Sequence, residues 1–253
     1  LTLDAANSVY PPRKPWPLAL IERNNMNNFK KLATALAISS AFAASAPAMA
    51  GDWEGGYVGL HAGWADGDRD TSYGLAPPLP AFANGKNGYG QSGALAGLQL
   101  GYNFELNPKW VLGVKADWSW ADVDGSSTFT SPAFPTGFKG TGNYDWLAST
   151  TVRLGYLVNN KFMVFADGGL AFGGFEFNSS SGYNFNESRS GWTLGIGGEY
   201  RFTPRASMSF QYNYYDFGSD KNSGTITFPG ALPFVSKADA DMNVFKLGFN
   251  YKF

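Results

Sequence analysis

The sequence contains no cysteine, a single histidine and few charged residues, and each shortage excludes a class of chemistry. Without cysteine, the 253-residue chain can form no disulfide, no thiolate nucleophile and no thiolate metal site. Charged residues make up 15% of the chain and the formal net charge is -1, so there is no basic surface and nucleic acid is not an expected partner. Glu, Lys and Gln, which favour helices, are sparse, and this argues against a helical protein.

No apolar run is long enough for a membrane-spanning helix. The apolar stretch 32–44 falls short of the roughly 20 residues that such a helix needs. It follows two lysines and leads to the small-x-small pattern formed by Ala48, Met49 and Ala50. This order of basic, apolar and small residues is typical of a secretory signal peptide. We therefore expect an exported protein that is cleaved after Ala50.

The signal peptide divides the chain into three parts. Residues 26–50 are the expected signal, and Met26 is the expected natural start. Residues 1–25 precede it, where a working signal sequence has no extension, so we expect them to be a non-native upstream extension. Residues 51–253 then form one exported domain.

That domain is rich in aromatic residues and glycine. Along much of it, large apolar residues alternate with small or polar residues in a period of two. The chain ends in NVFKLGFNYKF, in which apolar residues alternate with lysine, glycine and asparagine up to the last residue. Such alternation predicts a strand with one apolar and one polar face. Eight segments show it, at 57–64, 94–105, 110–123, 144–157, 162–173, 191–202, 206–217 and 243–253.

The connections between these segments alternate in length. Short connections lie at 106–109, 158–161 and 203–205, whereas 65–93, 124–143 and 218–240 are long and 178–190 is intermediate. Short turns at one end of a sheet and long loops at the other are typical of outer-membrane barrels. The predicted fold is all-β, an eight-stranded antiparallel up-and-down transmembrane β-barrel with short periplasmic turns and long extracellular loops.

The competing fold is a soluble eight-stranded barrel that turns its apolar face inward around a ligand. Three features favour the membrane barrel. Segments of about 9–11 residues match tilted membrane-spanning strands, and the narrow interior suits small residues better than aromatic ones. Aromatic residues also cluster near strand ends, as interfacial belts do: Trp64, Trp118, Trp120, Trp146 and Trp192 toward the loops, and Tyr102, Trp110, Tyr156, Tyr200 and Tyr251 toward the turns. We expect the last strand to close the ring against 57–64.

Several segments resemble a known family. GGYVGLHAGW, AGLQLGYNFEL, WVLGVKADWSW, GWTLGIGGEYRFTP and FKLGFNYKF are similar to the small outer-membrane porin-family proteins of alphaproteobacteria, also called outer-membrane immunogenic proteins. The resemblance implies a role in envelope integrity and surface exposure to a host, with haem binding or porin activity in some members. It also implies that Phe249, Tyr251 and Phe253 form the signal read by the barrel-assembly machinery.

Six charged residues occupy the predicted inner face at similar heights above the turn end: Lys115, Asp117, Arg153, Asp167, Glu199 and Arg201. Mixed charges inside a narrow barrel can pair into a plug or line a thin aqueous path. We favour the plug, because unpaired charges in such a narrow space are costly.

No catalytic, metal or cofactor site is expected. The lone His61 falls on the inner face of the first strand, without a Ser or Asp partner nearby in sequence for acyl transfer. Zinc sites need three or four ligands, which one histidine does not supply. Several predicted loop residues are phenylalanines (Phe82, Phe129, Phe134, Phe138, Phe228 and Phe234), which can either pack over the barrel mouth or form a contact surface for other molecules.

The predicted function is structural: an outer-membrane barrel that contributes to envelope integrity and exposes its loops. A small-solute porin with a narrow lumen and a loop-mediated binding or adhesion module are the alternatives. The expected partners are outer-membrane lipid, lipopolysaccharide and the barrel-assembly machinery, with a host molecule or haem as a candidate loop ligand.

Overall fold

The computed structural model describes residues 53–75, 84–131, 134–180, 184–226 and 232–253. Its eight strands are β1 (Gly55–Leu75), β2 (Gly85–Asn107), β3 (Trp110–Ser131), β4 (Phe134–Asn159), β5 (Phe162–Ser179), β6 (Phe185–Arg201), β7 (Ala206–Ile226) and β8 (Leu232–Lys252). Nowhere in these ranges does a helix reach the length and apolarity needed to cross a membrane. The predicted signal peptide and upstream extension lie outside the described residues.

The strands form one closed ring in chain order. Each strand pairs antiparallel with the next, and β8 returns to pair with β1. In this last pairing Tyr57 is opposite Lys252 and Trp64 is opposite Phe245. The main-chain N–H of Phe253 also donates to the carbonyl oxygen of Gly56 at 3.2 Å. The predicted up-and-down barrel and its closure against 57–64 are therefore confirmed, and the closed ring has no edge strand.

The two faces of the ring differ in the way the alternation predicts. Large apolar side chains point outward with more than half of their surface uncovered, as for Leu60 (60%), Ile196 (63%) and Phe210 (58%). Glycine, serine and charged residues point inward. A continuous apolar exterior of this extent requires a lipid environment, since soluble proteins rarely expose large apolar surfaces.

Two aromatic belts fix the thickness of the apolar band. On the β3–β4 pair, Trp110 lies opposite Tyr156 near the turn end and Trp120 lies opposite Trp146 toward the loop end. Ten residue steps separate the belts along β3. At about 3.3 Å per residue and a tilt of about 40°, this distance corresponds to about 25 Å along the barrel axis, the height of the apolar band in outer-membrane barrels.

The three short turns are stabilised by one side chain each. Asn107 Oδ1 accepts hydrogen bonds from the amides of Lys109 and Trp110, at 2.9 and 3.1 Å. In the β4–β5 turn, Asn159 Oδ1 accepts hydrogen bonds from two main-chain amides at 2.8 and 2.9 Å. In the β6–β7 turn, Thr203 Oγ1 accepts hydrogen bonds from two main-chain amides at 3.3 and 2.9 Å. These are the local side-chain-to-backbone bonds for which Asn and Thr are favoured in turns.

The strands continue well beyond the apolar band at the loop end. The predicted connections 65–93, 124–143 and 218–240 are mostly strand, so that the loops between strands are shorter than predicted. Beyond the band both strand faces can be polar, and the alternation that marked the membrane-spanning part is lost. Outward-facing Asp66 and Asp68 on β1 illustrate this change.

A register shift also moves one predicted lipid-facing residue. The sequence places Tyr144 on the outer face together with Trp146. The pairing of β4 with β5 instead skips a residue between the two, and Tyr144 is buried inside the barrel with 1% exposure. An extra residue in one strand reverses the facing of everything beyond it.

Candidate functional site

The barrel interior is filled in successive layers, starting with an apolar layer at the turn end. Trp53, Val111, Met163 and Phe165 form this layer, all of them buried. Trp53 lies just before β1, where its amide donates to Glu105 Oε1 at 2.5 Å and its indole Nε1 donates to the carbonyl oxygen of Asn160 at 3.2 Å. The layer therefore closes the periplasmic end with a tryptophan that is held through its main-chain amide and its indole.

A charged layer follows, and its first group is centred on an ion pair. Arg153 Nη1 lies 2.8 Å from Glu199 Oε2, and both side chains are buried. The same guanidinium donates to Asn103 Oδ1 at 2.9 and 3.2 Å. Glu199 also accepts from Ser207 Oγ at 2.5 Å and from Asn250 Nδ2 at 3.1 Å. Every charge in this group thus has an opposite charge and further hydrogen bonds.

The second group of the charged layer contains two lysines and two aspartates. Lys246 pairs with Asp117, and Lys115 Nζ lies 3.8 Å from Asp167 Oδ2. Gln211 links this second pair, because it accepts from Lys115 at 2.6 Å and donates to Asp167 at 2.5 Å. With Arg153 and Glu199, the layer holds three cations and three anions.

Glycines make room for these long side chains. Gly113 is the cross-strand partner of Arg153, and Gly195 is the partner of Asp167. A Cβ atom at Gly113 would lie 2.7 Å from Arg153 Cγ, and one at Gly195 would lie 2.5 Å from Asp167 Oδ1. The inward glycines therefore provide the space in which the charged groups pair.

Five of the six predicted inward charges lie in this layer, whereas Arg201 lies apart from them. Its Nη2 donates to the carbonyl oxygen of Asn160 at 2.9 Å, and its guanidinium carbon lies 5.3 Å from the Trp53 ring. Lys246 was missing from the predicted cluster. The alternation of the last strand places it inward, but its partner Asp117 lies 129 positions away and is brought close only by barrel closure.

His61 has a hydroxyl partner that its sequence neighbours do not reveal. Its Nε2 lies 2.7 Å from Ser119 Oγ, and both residues are buried inside the barrel. Its Nδ1 has no hydrogen-bond partner among the described residues, so no carboxylate orients the ring as in a catalytic triad.

A second apolar layer lies above the charged one. It contains Leu95, Val123, Tyr144, Leu147, Phe175, Tyr215, Phe217, Met242 and Val244. Above it, Phe129 is 4% exposed and makes edge contacts with Tyr73 and Tyr89 at centroid distances of 5.3 and 6.1 Å. Phe138 packs against the same cluster. These two phenylalanines pack within the mouth, and the side chains of the other four named in the sequence analysis lie outside the described part.

A closed ring, a lipid-facing exterior, two aromatic belts and a filled interior define a transmembrane β-barrel of a bacterial outer membrane. Residues 34–253 match the family described as outer membrane protein beta-barrel domain, and the chain belongs to this family. Its localisation is therefore the cell outer membrane, where it contacts lipid and lipopolysaccharide.

The chain is similar to outer-membrane immunogenic proteins of Brucella melitensis. It is 28% identical over 231 residues to the 31 kDa protein, and this alignment covers 83% of this chain and 87% of that protein. It is 26% identical over 196 residues to the 25 kDa protein, and this alignment covers 70% of this chain and 86% of that protein. The predicted family is confirmed. OprG from Pseudomonas aeruginosa has the same fold, with a TM-score of 0.50 at 15% identity over 79% of this chain and 97% of that one.

Proposed function

We propose that the protein is a closed structural barrel that contributes to envelope integrity and does not form a diffusion channel. The parts of its strands beyond the apolar band, at the loop end, are exposed to the exterior and are called the upper wall. The observation that carries this proposal is the filled interior, in which a charged layer lies between two apolar layers. An eight-stranded barrel is just wide enough for its side chains to fill it. An ion that crossed would have to separate buried pairs such as Arg153 and Glu199.

Conductance in a planar bilayer tests the closed barrel. Residues 51–253 are refolded, their folding is verified by heat-modifiable gel mobility, and a wide-lumen porin in the same bilayer is the positive control. We expect no discrete current steps. Reproducible steps from the folded protein would refute the closed barrel.

A narrow porin is the second candidate function, favoured by buried polar atoms inside the charged layer. His61 Nδ1, Thr151 Oγ1 and Asn213 Oδ1 have no hydrogen-bond partner among the described residues. Buried polar groups are usually satisfied by water where protein partners are lacking. A chain of such waters would form a thin path, and neutralising Lys115 and Asp117 would then change the ion selectivity of any conductance.

Envelope integrity is tested in cells. A strain that lacks the protein is expected to become more sensitive to detergents, and expression of the wild-type chain is expected to restore resistance. Unchanged sensitivity would argue for a role in surface binding instead. In that case, replacing residues 76–83 and 227–231 should abolish binding of the host molecule or haem while the barrel stays folded.

We also propose that the barrel is not an enzyme. The only histidine, His61, is enclosed with Ser119 inside the wall, where a lipid substrate has no access. His61→Ala is expected to leave lipid A chemistry unchanged, as measured by mass spectrometry of extracted lipid. A changed lipid A profile would contradict this proposal.

Processing and assembly complete the proposal. We expect cleavage after Ala50, within the pattern formed by Ala48 and Ala50, so that the mature barrel domain begins at residue 51. Mass spectrometry of the outer-membrane protein would show this N-terminus, and one upstream of Met26 would refute it. Phe249 and Tyr251 lie on the outer face of β8, and the exposed Phe253 follows its last residue, as expected of a signal for the barrel-assembly machinery.

A further inference from the structure

A cavity at the loop end of the barrel is not explained by a structural role. It has a volume of about 30 Å³. We call it the upper chamber, and its lining includes Arg69, Tyr73, Phe129, Phe138, Phe177 and Phe185. Half of the lining residues are thus aromatic, and Thr71, Ser179 and Ser236 add hydroxyl groups beside the one guanidinium.

Arg69 is buried, and no ion pair to it is formed among the described residues. It is 2% exposed and its guanidinium carbon lies 3.7 Å from the centroid of the Phe175 ring. Its Nη1 atom is buried and has no hydrogen-bond partner among the described residues. Stacking on an aromatic ring stabilises a guanidinium in part, but it leaves the planar array of N–H donors available to an anion.

A second buried arginine adds to the positive charge. Arg189 is 1% exposed and lies 5.6 Å from the same Phe175 ring. Its Nε donates to Glu187 Oε1 at 2.6 Å. Two guanidiniums therefore lie against the same aromatic ring, beside the carboxylate of Glu187.

The surrounding sequence offers few further counter-ions. Asp68 and Asp70, which flank Arg69 on β1, are exposed on the outer face. The segments 76–83, 132–133, 181–183 and 227–231 contain no Asp or Glu. By register, Asp220 is a candidate counter-ion, because it pairs with Ala238, a lining residue of the chamber.

We propose that the upper chamber binds the carboxylate of a small apolar organic acid, with Arg69 as the anion-binding group. A guanidinium presents paired donors that match the two oxygens of a carboxylate. The cavity accommodates a group of a few atoms, so the carboxylate occupies it and the apolar body extends toward the mouth between the phenyl rings. Phosphate fits less well, because it has no apolar body to contact the aromatic rings of the lining.

Benzoate is the probe for this site. The protein, residues 51–253 refolded in a detergent without carboxylates, is titrated with benzoate by isothermal calorimetry, with benzyl alcohol, chloride and phosphate as comparison ligands. We expect saturable one-to-one binding of benzoate and at least tenfold weaker binding of the comparison ligands. Failure of benzoate to bind, or equal binding of benzyl alcohol or the inorganic anions, would overturn the proposal.

Two variants locate the site. Arg69→Gln is expected to weaken benzoate binding at least tenfold, and it should fold because it removes a buried charge that has no ion pair within the described part of the chain. Lys86→Gln is the matched control, since it removes an exposed cation on the neighbouring strand β2, and it should bind like the wild type. Equal loss in both variants would show only a general charge effect and would refute the site.

Asp220→Asn tests whether the chain supplies its own anion. If Asp220 neutralises Arg69, the wild type will not bind benzoate and the variant will, which would overturn the proposal. If the anion comes from solution, Asp220→Asn will bind benzoate at least as tightly as the wild type.

Discussion

Replacing Glu199 by Gln removes the charge of a buried ion pair and nearly preserves its shape. Arg153 then keeps its hydrogen bonds to Asn103 but loses its ion pair with Glu199 at 2.8 Å. Breaking a buried pair on one side costs about 3–5 kcal/mol, because a charge is left uncompensated in the interior. The equilibrium constant for unfolding should therefore rise by about a hundredfold to a few thousandfold.

Urea unfolding in lipid vesicles, followed by tryptophan fluorescence, measures this change. The matched control is Asp239→Asn, which removes the partner of Lys237 in an ion pair at 3.7 Å with both side chains about half exposed. A surface pair of this kind contributes roughly 0–1 kcal/mol. The difference between the two variants isolates the effect of burial.

A double-mutant cycle completes the test. Leucine at Arg153 and at Glu199 should each destabilise strongly alone, while the double variant should lose clearly less than the sum, since neither charge is then left unpaired. If Glu199→Gln costs no more than Asp239→Asn, or if the cycle is additive, the charged layer is not held together by its ion pairs.

Three further outcomes follow from local geometry. Gly97→Ala is expected to destabilise the barrel by about 1–3 kcal/mol, because a Cβ atom there would clash with main-chain atoms of β3. Gly168→Ala is the control, since the nearest atom to its Cβ would lie 3.4 Å away. It should change stability by about 0.5 kcal/mol or less in the same urea assay. Asn159→Ala should cost about 1 kcal/mol through two lost turn hydrogen bonds; an unchanged urea midpoint would contradict the role given to its side chain. Deleting Phe253 should reduce the assembled barrel in outer-membrane fractions several-fold relative to Lys252→Gln, and equal amounts of both would show that the terminal aromatic residue is not read.

The membrane-spanning half of the fold was predictable because lipid imposes a simple rule on it. Outward residues between the belts are mostly apolar, so Leu60 and Ile196 follow a period of two. The tight turns are marked by Asn and Thr. The outward position predicted for Tyr144 is wrong, because a one-residue register shift between two strands leaves no signal in the composition of the sequence. The charged residues could be placed on the inner face by the same period.

Their pairing could not be predicted, because it depends on the stagger between strands. Lys246 meets Asp117 only when β8 closes on β1, at a height set by the whole ring. Arg69 and Arg189 were missed for a different reason. They lie above the lipid, where no apolar face marks a strand, so the sequence there indicates a connection rather than a strand.

The height of the wall determines what an approaching molecule touches. Above the outer belt, β3 continues from Trp120 to Ser131, and this adds roughly the thickness of the apolar band again at about 3.3 Å per residue. Neighbouring positions on that surface come from different strands, as Asp68 and Asp241 do across the β1–β8 pair. Antibodies raised against the folded protein should therefore recognise discontinuous epitopes that peptides do not reproduce and that boiling in detergent destroys.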